Sequence, residues 1–421
     1  MSATYNIPVA LRLSGVLDRE ALRAAVRDVL IRHESLRTVF PQVAGTPYQQ
    51  ILPADAVDVP MPVDDVSEAA LADAMARETR RGFDLAVEPP VRTRLFRLDE
   101  HEHVLVLVLH HIAGDGWSTG PLSRDLARAY QARCEGQEPG WAPLPVQYAD
   151  YTLWQHQLLG DQHDPTSVFG RQLEYWTQAL AGLPAQIPLP ADRPRPPVPS
   201  YQGDYVSLEM DAELHARLVE LSRASGASLF MVLQAALATL LSRLGAGNDV
   251  PIGSPIAGRL DQALDDLVGF FVNTLVLRTD LSGNPTFTEL VGRVRETALG
   301  AYAHQDIPFE HLVEVLNPAR SLSHHPLFQV MLALQNAPHG TFQLPGLHAV
   351  REPASTRTAK FDLAFNLTER FTPDGAPAGV QCQVEFASDL YDVDTARALA
   401  QRLVRLLEEL ADDPGRRVGD V

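Results

Sequence analysis

The 421-residue sequence has little cysteine, almost no lysine and no excess of positive charge. Its two cysteines, Cys134 and Cys382, lie far apart without CxxC spacing, which argues against a disulfide framework or a zinc knuckle. Lys360 is the only lysine, so a Schiff base is excluded at every other position. The formal charge of −18 disfavours nucleic acids and anionic membranes as partners, because both would repel the chain.

Several targeting and cofactor-binding signals are also missing from the sequence. The N-terminus lacks the basic and apolar regions of a signal peptide, and no apolar window is expected to reach the length of a membrane span. No GxxxxGK loop is present, which predicts that the chain does not use ATP. We therefore expect a soluble, cytoplasmic protein that binds no metal and no nucleotide cofactor.

The length and the pattern of elements predict two α/β domains. A chain of 421 residues is too long for one ordinary core. A strand, an Asp-x-Glu cap and a helix in residues 6–30 recur in residues 205–224, and the proline-rich stretch 183–205 reads as an extended connector. We place the domains at residues 1–180 and 181–421.

An unbroken apolar run, residues 104–109, leads directly into two histidines. Such a run is typical of a central strand that is buried on both faces. Because side chains alternate along a strand, His110 and His111 are expected to point in opposite directions and cannot form one metal-binding pair. The pattern predicts that one imidazole faces a cavity and the other faces packed side chains.

An aspartate between two glycines follows the histidines. Gly114 and Gly116 are expected to let the chain turn abruptly around Asp115. A buried carboxylate in that turn needs a cation or several backbone N–H groups, and Arg37 is the first candidate partner, followed by Arg32. The alternative is that both histidines are satisfied core residues and that Asp115 only forms a turn.

The segment "HHIAGDG" (110–116) resembles the HHxxxDG signature of condensation domains of nonribosomal peptide synthetases. Five further segments are similar to later motifs of the same family and occur in its order. They are "RHESLRTVF" (32–40), "YADYTLWQ" (148–155), "VGFFVNTLVLR" (268–278), "HQDIPFEHLV" (304–313) and "SHHPLFQVMLALQN" (323–336). The helical first motif of the family is missing ahead of "YNIPVALRLSG", so the chain looks trimmed at its front.

The resemblance implies a fold of two similar lobes, each like chloramphenicol acetyltransferase, in a V-shaped pseudo-dimer with the active site in a tunnel between them. It also implies that parts of the second lobe reach across to the first. We expect those parts to be residues 256–275 and the region before Gly379. A monomeric pseudo-dimer is the expected state.

The implied reaction joins a donor acyl thioester to the α-amine of an acceptor aminoacyl thioester. Both are carried on phosphopantetheine of an upstream donor and a downstream acceptor carrier protein, with an adenylation domain as a neighbour. His111 is the expected catalytic residue, as general base or as the acceptor that orients the amine. The expected supporting residues are His110, Asp115, Gly116 and Arg37. The candidates for the tunnel wall or the oxyanion site are Trp117, Ser118, Asn273 and Thr274.

Other activities are compatible with parts of this pattern. The continuation "GDGWSTGPLSRDL" looks like the subclass that joins an L-configured donor to an L-configured acceptor, which disfavours an epimerase. An acyltransferase that uses coenzyme A thioesters shares the His-x-x-x-Asp-Gly core. A catalytically silent relative that serves as a docking platform for a tailoring enzyme is the third alternative. The expected setting is the biosynthesis of an antibiotic or a siderophore.

Overall fold

A computed structural model describes residues 2–58, 60–317, 321–335 and 343–421, which form a mixed α/β structure. The strands are β1 (Asn6–Gly15), β2 (Thr38–Val39), β3 (Gln42–Val43), β4 (Thr46–Pro47), β5 (Gln50–Ile51), β6 (Val63–Asp65), β7 (Val91–Arg97), β8 (Glu102–His110), β9 (Gly203–Met210), β10 (Asp249–Ile256), β11 (Asn273–Asp280), β12 (Val330–Gln335), β13 (Leu347–Glu352), β14 (Leu363–Phe371) and β15 (Pro377–Ala387). The α-helices are α1 (Arg19–Arg32), α2 (Glu68–Thr79), α3 (Thr119–Cys134), α4 (Tyr148–Leu159), α5 (Val168–Ala179), α6 (Ala212–Ala224), α7 (Leu229–Leu241), α8 (Phe287–Tyr302), α9 (Phe309–Leu316) and α10 (Val393–Asp412).

The chain divides into two compact units, in agreement with the prediction of two α/β domains. Unit 1 comprises Met1–Leu158, Ala257–Val272 and Ala337–Thr356, of which 343–356 are described in the last segment. Unit 2 comprises Leu159–Ile256, Asn273–Asn336 and Arg357–Val421. Both segments that unit 1 takes from the second half of the chain lie before Gly379, and the first falls within the expected 256–275.

The predicted boundary at residue 180 is wrong, because α5 belongs to unit 2. Phe169 and Trp176 of α5 are buried in one cluster with Leu275 and Phe328 of unit 2. The burial of these large side chains fixes the helix to that unit. The proline-rich stretch contains no helix, as predicted, but it also belongs to unit 2.

Unit 1 is built on a five-stranded sheet in the order β13-β1-β8-β7-β6. β8 is its central strand and pairs antiparallel with β1 and with β7. The valines at 104, 106 and 108 lie in one buried cluster with Phe83, whereas the leucines at 105, 107 and 109 lie in another with residues of α1 and α3. Both faces of β8 are therefore buried, as the continuous apolar run predicted.

The sequence signals for the first helix of unit 1 are confirmed. Asp18 accepts a hydrogen bond from the backbone N–H of Ala21 at 2.9 Å and so caps α1. Leu22, Val26 and Leu30 are buried on one face of the helix. This face and the inner face of α3 cover the leucine side of β8.

Unit 2 is built on a six-stranded mixed sheet in the order β11-β10-β12-β14-β15-β9. Its main core lies between this sheet and the helices α6, α7, α8 and α10. Residues Leu229–Ala246 are, by length and composition alone, apolar enough to cross a membrane, which corrects the expectation that no window would reach that length. This window comprises α7 and the turn that follows it, and 72% of it is buried inside the structure as part of this core.

Candidate active site

The strand β8 ends at the first histidine of the signature. His110 is the last residue of β8 and pairs with Asn6 of β1. His111 begins a single turn of 3₁₀ helix, and its backbone N–H donates to the carbonyl of Tyr5 at 2.8 Å. The backbone N–H of His110 donates to the carbonyl of Pro90 at 2.8 Å, so residues just ahead of β1 and of β7 hold the backbone of the two histidines.

The two imidazoles have different surroundings. The ring of His110 lies 5.9 Å from that of Phe83 and 6.1 Å from that of Tyr5, and its Nδ1 accepts from the N–H of Ile112 at 3.2 Å. The ring of His111 lies 5.0 Å from that of Phe270 at an interplanar angle of 72°. The two rings therefore have different neighbours, although His111 lies in the turn after β8 and the alternation along the strand does not extend to it.

Asp115 is almost completely buried, with 4% of its surface exposed. Its Oδ1 accepts from the N–H of Ser118 at 2.9 Å and lies 3.5 Å from Nη2 of Arg259. Its Oδ2 accepts from the N–H groups of Phe271 at 3.0 Å and Val272 at 3.3 Å. The carboxylate thus has both a cation and backbone N–H groups, which is what a buried negative charge requires.

The predicted pairing of Asp115 with Arg37 is wrong. Arg37 donates to the carbonyl of Leu52 and to Glu34 Oε1 at 3.1 Å. The second candidate, Arg32, pairs with Asp125 at 2.8 Å. The partner of Asp115 is Arg259, which lies 144 residues further along the chain in the segment Ala257–Val272 of unit 1.

Arg259 is held on several sides. Its guanidinium donates to the carbonyl of Leu264 and to Ser118 Oγ at 3.2 Å, and it lies 4.1 Å above the ring of Phe271. Burial lowers the pKa of Arg259, although the neighbouring Asp115 carboxylate acts in the opposite direction. The cation and the carboxylate therefore depend on each other, because either one alone would be a buried unpaired charge.

Side chains of unit 1 bind the backbone of residues 268–272, which we call the clamped segment. Val268 donates its N–H to His33 Nδ1 at 3.3 Å and accepts from Ser35 Oγ at 2.6 Å. Gly269 donates its N–H to Ser118 Oγ at 3.1 Å. The Tyr148 hydroxyl donates to the carbonyl of Phe270 at 2.7 Å. Together with the two bonds to Asp115, these contacts satisfy most of the polar backbone of an irregular segment.

His33 is a second buried histidine in this network. Its Nε2 lies 2.8 Å from Asp125 Oδ2, while its Nδ1 accepts the N–H of Val268. Only the neutral tautomer with hydrogen on Nε2 makes both bonds. Burial lowers the pKa of His33, against the effect of its hydrogen bond to Asp125.

Neither glycine of the signature uses the backbone angles that other residues avoid, which the abrupt turn around Asp115 was expected to need. Gly114 is extended, with φ −167° and ψ 159°, and Gly116 is not among the glycines with positive φ. The turn is made instead by Asp115 and Ser118, which exchange backbone and side-chain hydrogen bonds. A Cβ added at Gly116 would meet no atom within 4 Å, so this glycine faces open space. Trp117, half-buried, follows it just ahead of α3.

The two residues proposed for the tunnel wall belong to unit 2. The Asn273 amide donates to the carbonyls of Gln305 at 2.9 Å and Ile307 at 2.7 Å. Its Oδ1 accepts from the N–H groups of Thr274 at 2.8 Å and Phe309 at 3.0 Å. Asn273 therefore uses its hydrogen-bonding capacity to hold the turn before α9. Thr274 is half-buried on β11.

The other histidine-containing motifs also have packing roles. His304 stacks on Tyr175 at 4.0 Å, and its carbonyl accepts from Trp176 Nε1 at 2.7 Å. In the segment 323–336, of which Asn336 lies outside the described residues, His325 packs among aromatic rings. Among the described residues, no group of three or more His, Cys, Asp or Glu side chains is arranged to hold a metal ion.

The sequence reasoning missed Arg259, His33 and Phe270. Each lies inside or beside a segment that was singled out, 32–40, 256–275 or 268–278. A signal existed for Arg259, because a lone arginine in a segment expected to join unit 1 is a natural partner for a buried carboxylate there. No local pattern indicates that His33 or Phe270 approaches the end of β8.

The family described as "Condensation domain" matches residues 1–421. The chain is 60% identical over 420 residues to a probable non-canonical nonribosomal peptide synthetase, CymA, of Salinispora arenicola, covering 100% of this chain and 5% of the relative. It is 54% identical over 420 residues to a dimodular nonribosomal peptide synthase of Bacillus subtilis, covering 100% of this chain and 18% of that one. The chain thus spans 5% to 18% of the length of these relatives.

A solved structure is similar over nearly the whole chain. It is a chain in the complex of the X-domain and OxyB from teicoplanin biosynthesis, with a TM-score of 0.93 and 43% sequence identity. The match covers 99% of this chain and 90% of the other. The fold seen here is therefore shared with a protein of known structure.

Proposed function

Because the chain belongs to the condensation domain family, we propose that it joins a donor acyl thioester to the α-amine of an acceptor aminoacyl thioester. In this reaction the amine nitrogen attacks the thioester carbonyl, the C–N bond forms and the C–S bond breaks. The leaving thiolate takes up the proton that the amine loses. The growing chain thereby moves from the donor to the acceptor.

The reaction needs only a modest catalyst. A free α-amine has a pKa of about 7.7–8.0, so a useful fraction is neutral at cellular pH. Correct placement of the two substrates can offset roughly 7–11 kcal/mol of the barrier. A group that accepts the amine proton or orients the amine adds to this effect of positioning.

We assign that group to His111, with His110 and Asp115 in support. The observation that carries the assignment is the half-buried imidazole at the end of β8, beside the clamped segment. His111 acts as general base or as the hydrogen-bond acceptor that orients the amine. Asp115 acts through the clamped segment and Arg259, since its oxygens contact backbone N–H groups and the guanidinium.

The backbone N–H groups of Gly116 and Trp117 are our candidates for stabilising the tetrahedral oxyanion. They lie just ahead of α3, where the helix dipole favours negative charge. The open space beside Gly116 leaves room for a substrate carbonyl. Ser118 is occupied in the network around Asp115 and has a supporting role.

The substrates are proposed to arrive on phosphopantetheine of donor and acceptor carrier proteins, with an adenylation domain as a neighbour and no cofactor of the chain's own. We further propose L-configured donor and acceptor residues and a cytoplasmic setting. Both relatives named above are peptide synthetases, which supports a role in making a secondary metabolite.

A transfer assay tests this function. Two carrier proteins are loaded separately, one with a donor and one with an acceptor amino acid, and are mixed with the chain. Intact-protein mass spectrometry should show the dipeptidyl acceptor carrier forming faster than in a mixture without the chain. Product from free coenzyme A thioesters at an equal rate would favour the coenzyme A-dependent acyltransferase instead.

A docking platform for a tailoring enzyme is the second candidate. It is favoured by the similarity to a chain in the complex of the X-domain and OxyB. This candidate predicts binding of a tailoring enzyme without any dipeptidyl carrier in the transfer assay. A chain that makes the dipeptidyl carrier is not a silent platform.

A further inference from the structure

The ring of Phe270 is the described aromatic neighbour of the His111 imidazole. Their centroids are 5.0 Å apart and their planes meet at 72°, which is an edge-to-face arrangement. Aromatic pairs prefer this geometry, and it restricts the rotation of both rings. Phe270 is therefore in a position to select one orientation of His111.

Phe270 itself has little freedom to move. The backbone on either side of it is bound by the side chains of the clamp, namely His33, Ser35, Ser118, Tyr148 and Asp115. The contacts reach the residue directly before it, the residue directly after it and its own carbonyl. These hydrogen bonds from side chains of unit 1 therefore fix the position of the Phe270 Cα, although the segment is irregular.

The next residue anchors the segment from the other direction. Phe271 is buried, with its ring 4.8 Å from Tyr151, 5.2 Å from Tyr148 and 4.1 Å below the Arg259 guanidinium. Phe270 is only half-buried and has no place in this inner cluster. Two adjacent phenylalanines therefore have separate tasks, since one anchors the segment and the other meets the imidazole.

We infer that Phe270 is a positioning residue that fixes the orientation of the His111 imidazole, and that Asp115 influences the reaction by holding Phe270 in place. The kinetic part of this inference rests on the proposed function. Placement matters because a displacement of about 1 Å in a reacting group costs on the order of 100-fold in rate. Loss of the Phe270 ring would remove this restraint on the imidazole while keeping the imidazole itself.

Nuclear magnetic resonance of the histidine rings tests the contact without any assay of activity. In the full chain with labelled histidines, Phe270→Leu should move the ring proton signals of His111, because the ring current of Phe270 is lost. The signals are assigned from H111Q and H215Q. Unmoved His111 signals in a folded Phe270→Leu chain would overturn the inference.

Unit 2 offers a matched control for this measurement. Phe371 lies 5.5 Å from the ring of His215 at 58°, and it is 55% exposed. Phe371→Leu should move the signals of His215 and leave those of His111 unchanged. If it moves His111 as well, the response to Phe270→Leu is a general effect of losing a phenylalanine, and the inference fails.

Kinetics on loaded carriers provide the second test. We expect Phe270→Leu to lower kcat about 10- to 100-fold with little change in KM for either carrier, and Phe270→Tyr to restore most of kcat because it keeps the ring. Unchanged kcat in Phe270→Leu overturns the inference. A wild-type chain that forms no amide overturns the proposed function instead, and the resonance measurement then decides whether Phe270 orients His111.

Discussion

The chain contains two His-His pairs, and the two units treat them in opposite ways. In unit 1, His110 and His111 close a buried strand, and the ring of His111 meets one phenylalanine beside the clamped segment. In unit 2, the ring of His325 lies 4.6 Å from Phe328, 4.8 Å from Phe361 and 5.6 Å from Phe309. Burial lowers the pKa of His325 to about 4, so this half-buried imidazole is neutral and packs against the rings of a core cluster.

The surroundings of each pair, and not the pair itself, account for this difference. Asp115 follows the first pair and ties the clamped segment to it through two backbone N–H groups. Pro326 follows the second pair, and its carbonyl lies 2.9 Å from His325 Nδ1. A histidine becomes a candidate for chemistry where a buried, charged network holds its surroundings and leaves the ring itself partly open.

Removing the carboxylate of Asp115 should have the largest effect on the network around the first pair. Asp115→Ala would leave the buried Arg259 without its counter-charge, and removal of one partner of such a pair costs about 3–5 kcal/mol. Denaturant unfolding should show a loss of that size. The matched control is Asp394→Ala, which removes an exposed partner of Arg397 and should cost about 0–1 kcal/mol. Equal losses in the two variants would mean that the network around Asp115 does not hold unit 1 together.

The strand and the burial of this region could be predicted from the sequence, but the partners in the network could not. The apolar run predicted β8 and its burial on both faces, because an unbroken run of this kind fills both faces of a strand. The period of the strand does not place His111, which begins the turn after it. The sequence offers Arg37 first and Arg32 second as partners of Asp115, but both pair with other carboxylates. The true partner, Arg259, becomes adjacent only when a segment from the second half of the chain joins unit 1.

The predictions of the domain boundary and of the turn at the two glycines were wrong for related reasons. The prolines at 183–205 indicated a linker, and we therefore placed the boundary just before them. The helix α5, which precedes them, nevertheless belongs to unit 2 because Phe169 and Trp176 pack in its core, and no local pattern reveals this packing. Gly114 and Gly116 predicted an abrupt turn that uses the conformational freedom of glycine, whereas the side chains of Asp115 and Ser118 make the turn without positive φ. Local patterns predict elements, and long-range packing decides how those elements are used.

The variant His325→Phe tests whether the imidazole of the second pair, in unit 2, has only a packing role. Because the imidazole is neutral and packed among rings, its replacement by a phenyl ring should lower the free energy of unfolding at pH 7 by less than about 1.5 kcal/mol. The folded pKa of about 4 lies below the unfolded value of about 6.5, so His325 supports the fold fully above pH 6.5. That support is lost as the pH falls from 6.5 towards 4.

The pH dependence provides the measurement for this variant. The free energy of unfolding of the wild type should fall more steeply between pH 6.5 and 4 than that of His325→Phe. Denaturant titrations at four pH values across this range suffice to compare the slopes. Parallel slopes would show that His325 takes up its proton equally well in both states.

Tyr148→Phe tests one bond of the clamp. The variant keeps the ring against Phe271 and removes the hydroxyl that donates to the carbonyl of Phe270. We expect a loss of about 1 kcal/mol in the free energy of unfolding and faster amide hydrogen exchange in residues 268–272. Unchanged exchange there would mean that this hydroxyl does not restrain the segment.

Gly116→Ala should have the smallest effect on stability. The added Cβ meets no atom within 4 Å, and the backbone of Gly116 does not require positive φ. The free energy of unfolding should change by no more than about 0.5 kcal/mol. A thermal unfolding experiment checks this value, and a large loss would show that the glycine is needed for the turn after all.

The single-turnover rate of amide formation between two loaded carrier proteins tests the central claim most directly. It should be measured for the wild type, for His111→Ala and for His325→Phe. We expect His111→Ala to slow the transfer about 10²- to 10⁴-fold, and His325→Phe to leave the rate close to that of the wild type. A His111→Ala chain that transfers as fast as the wild type would contradict the assignment of the chemistry to this imidazole.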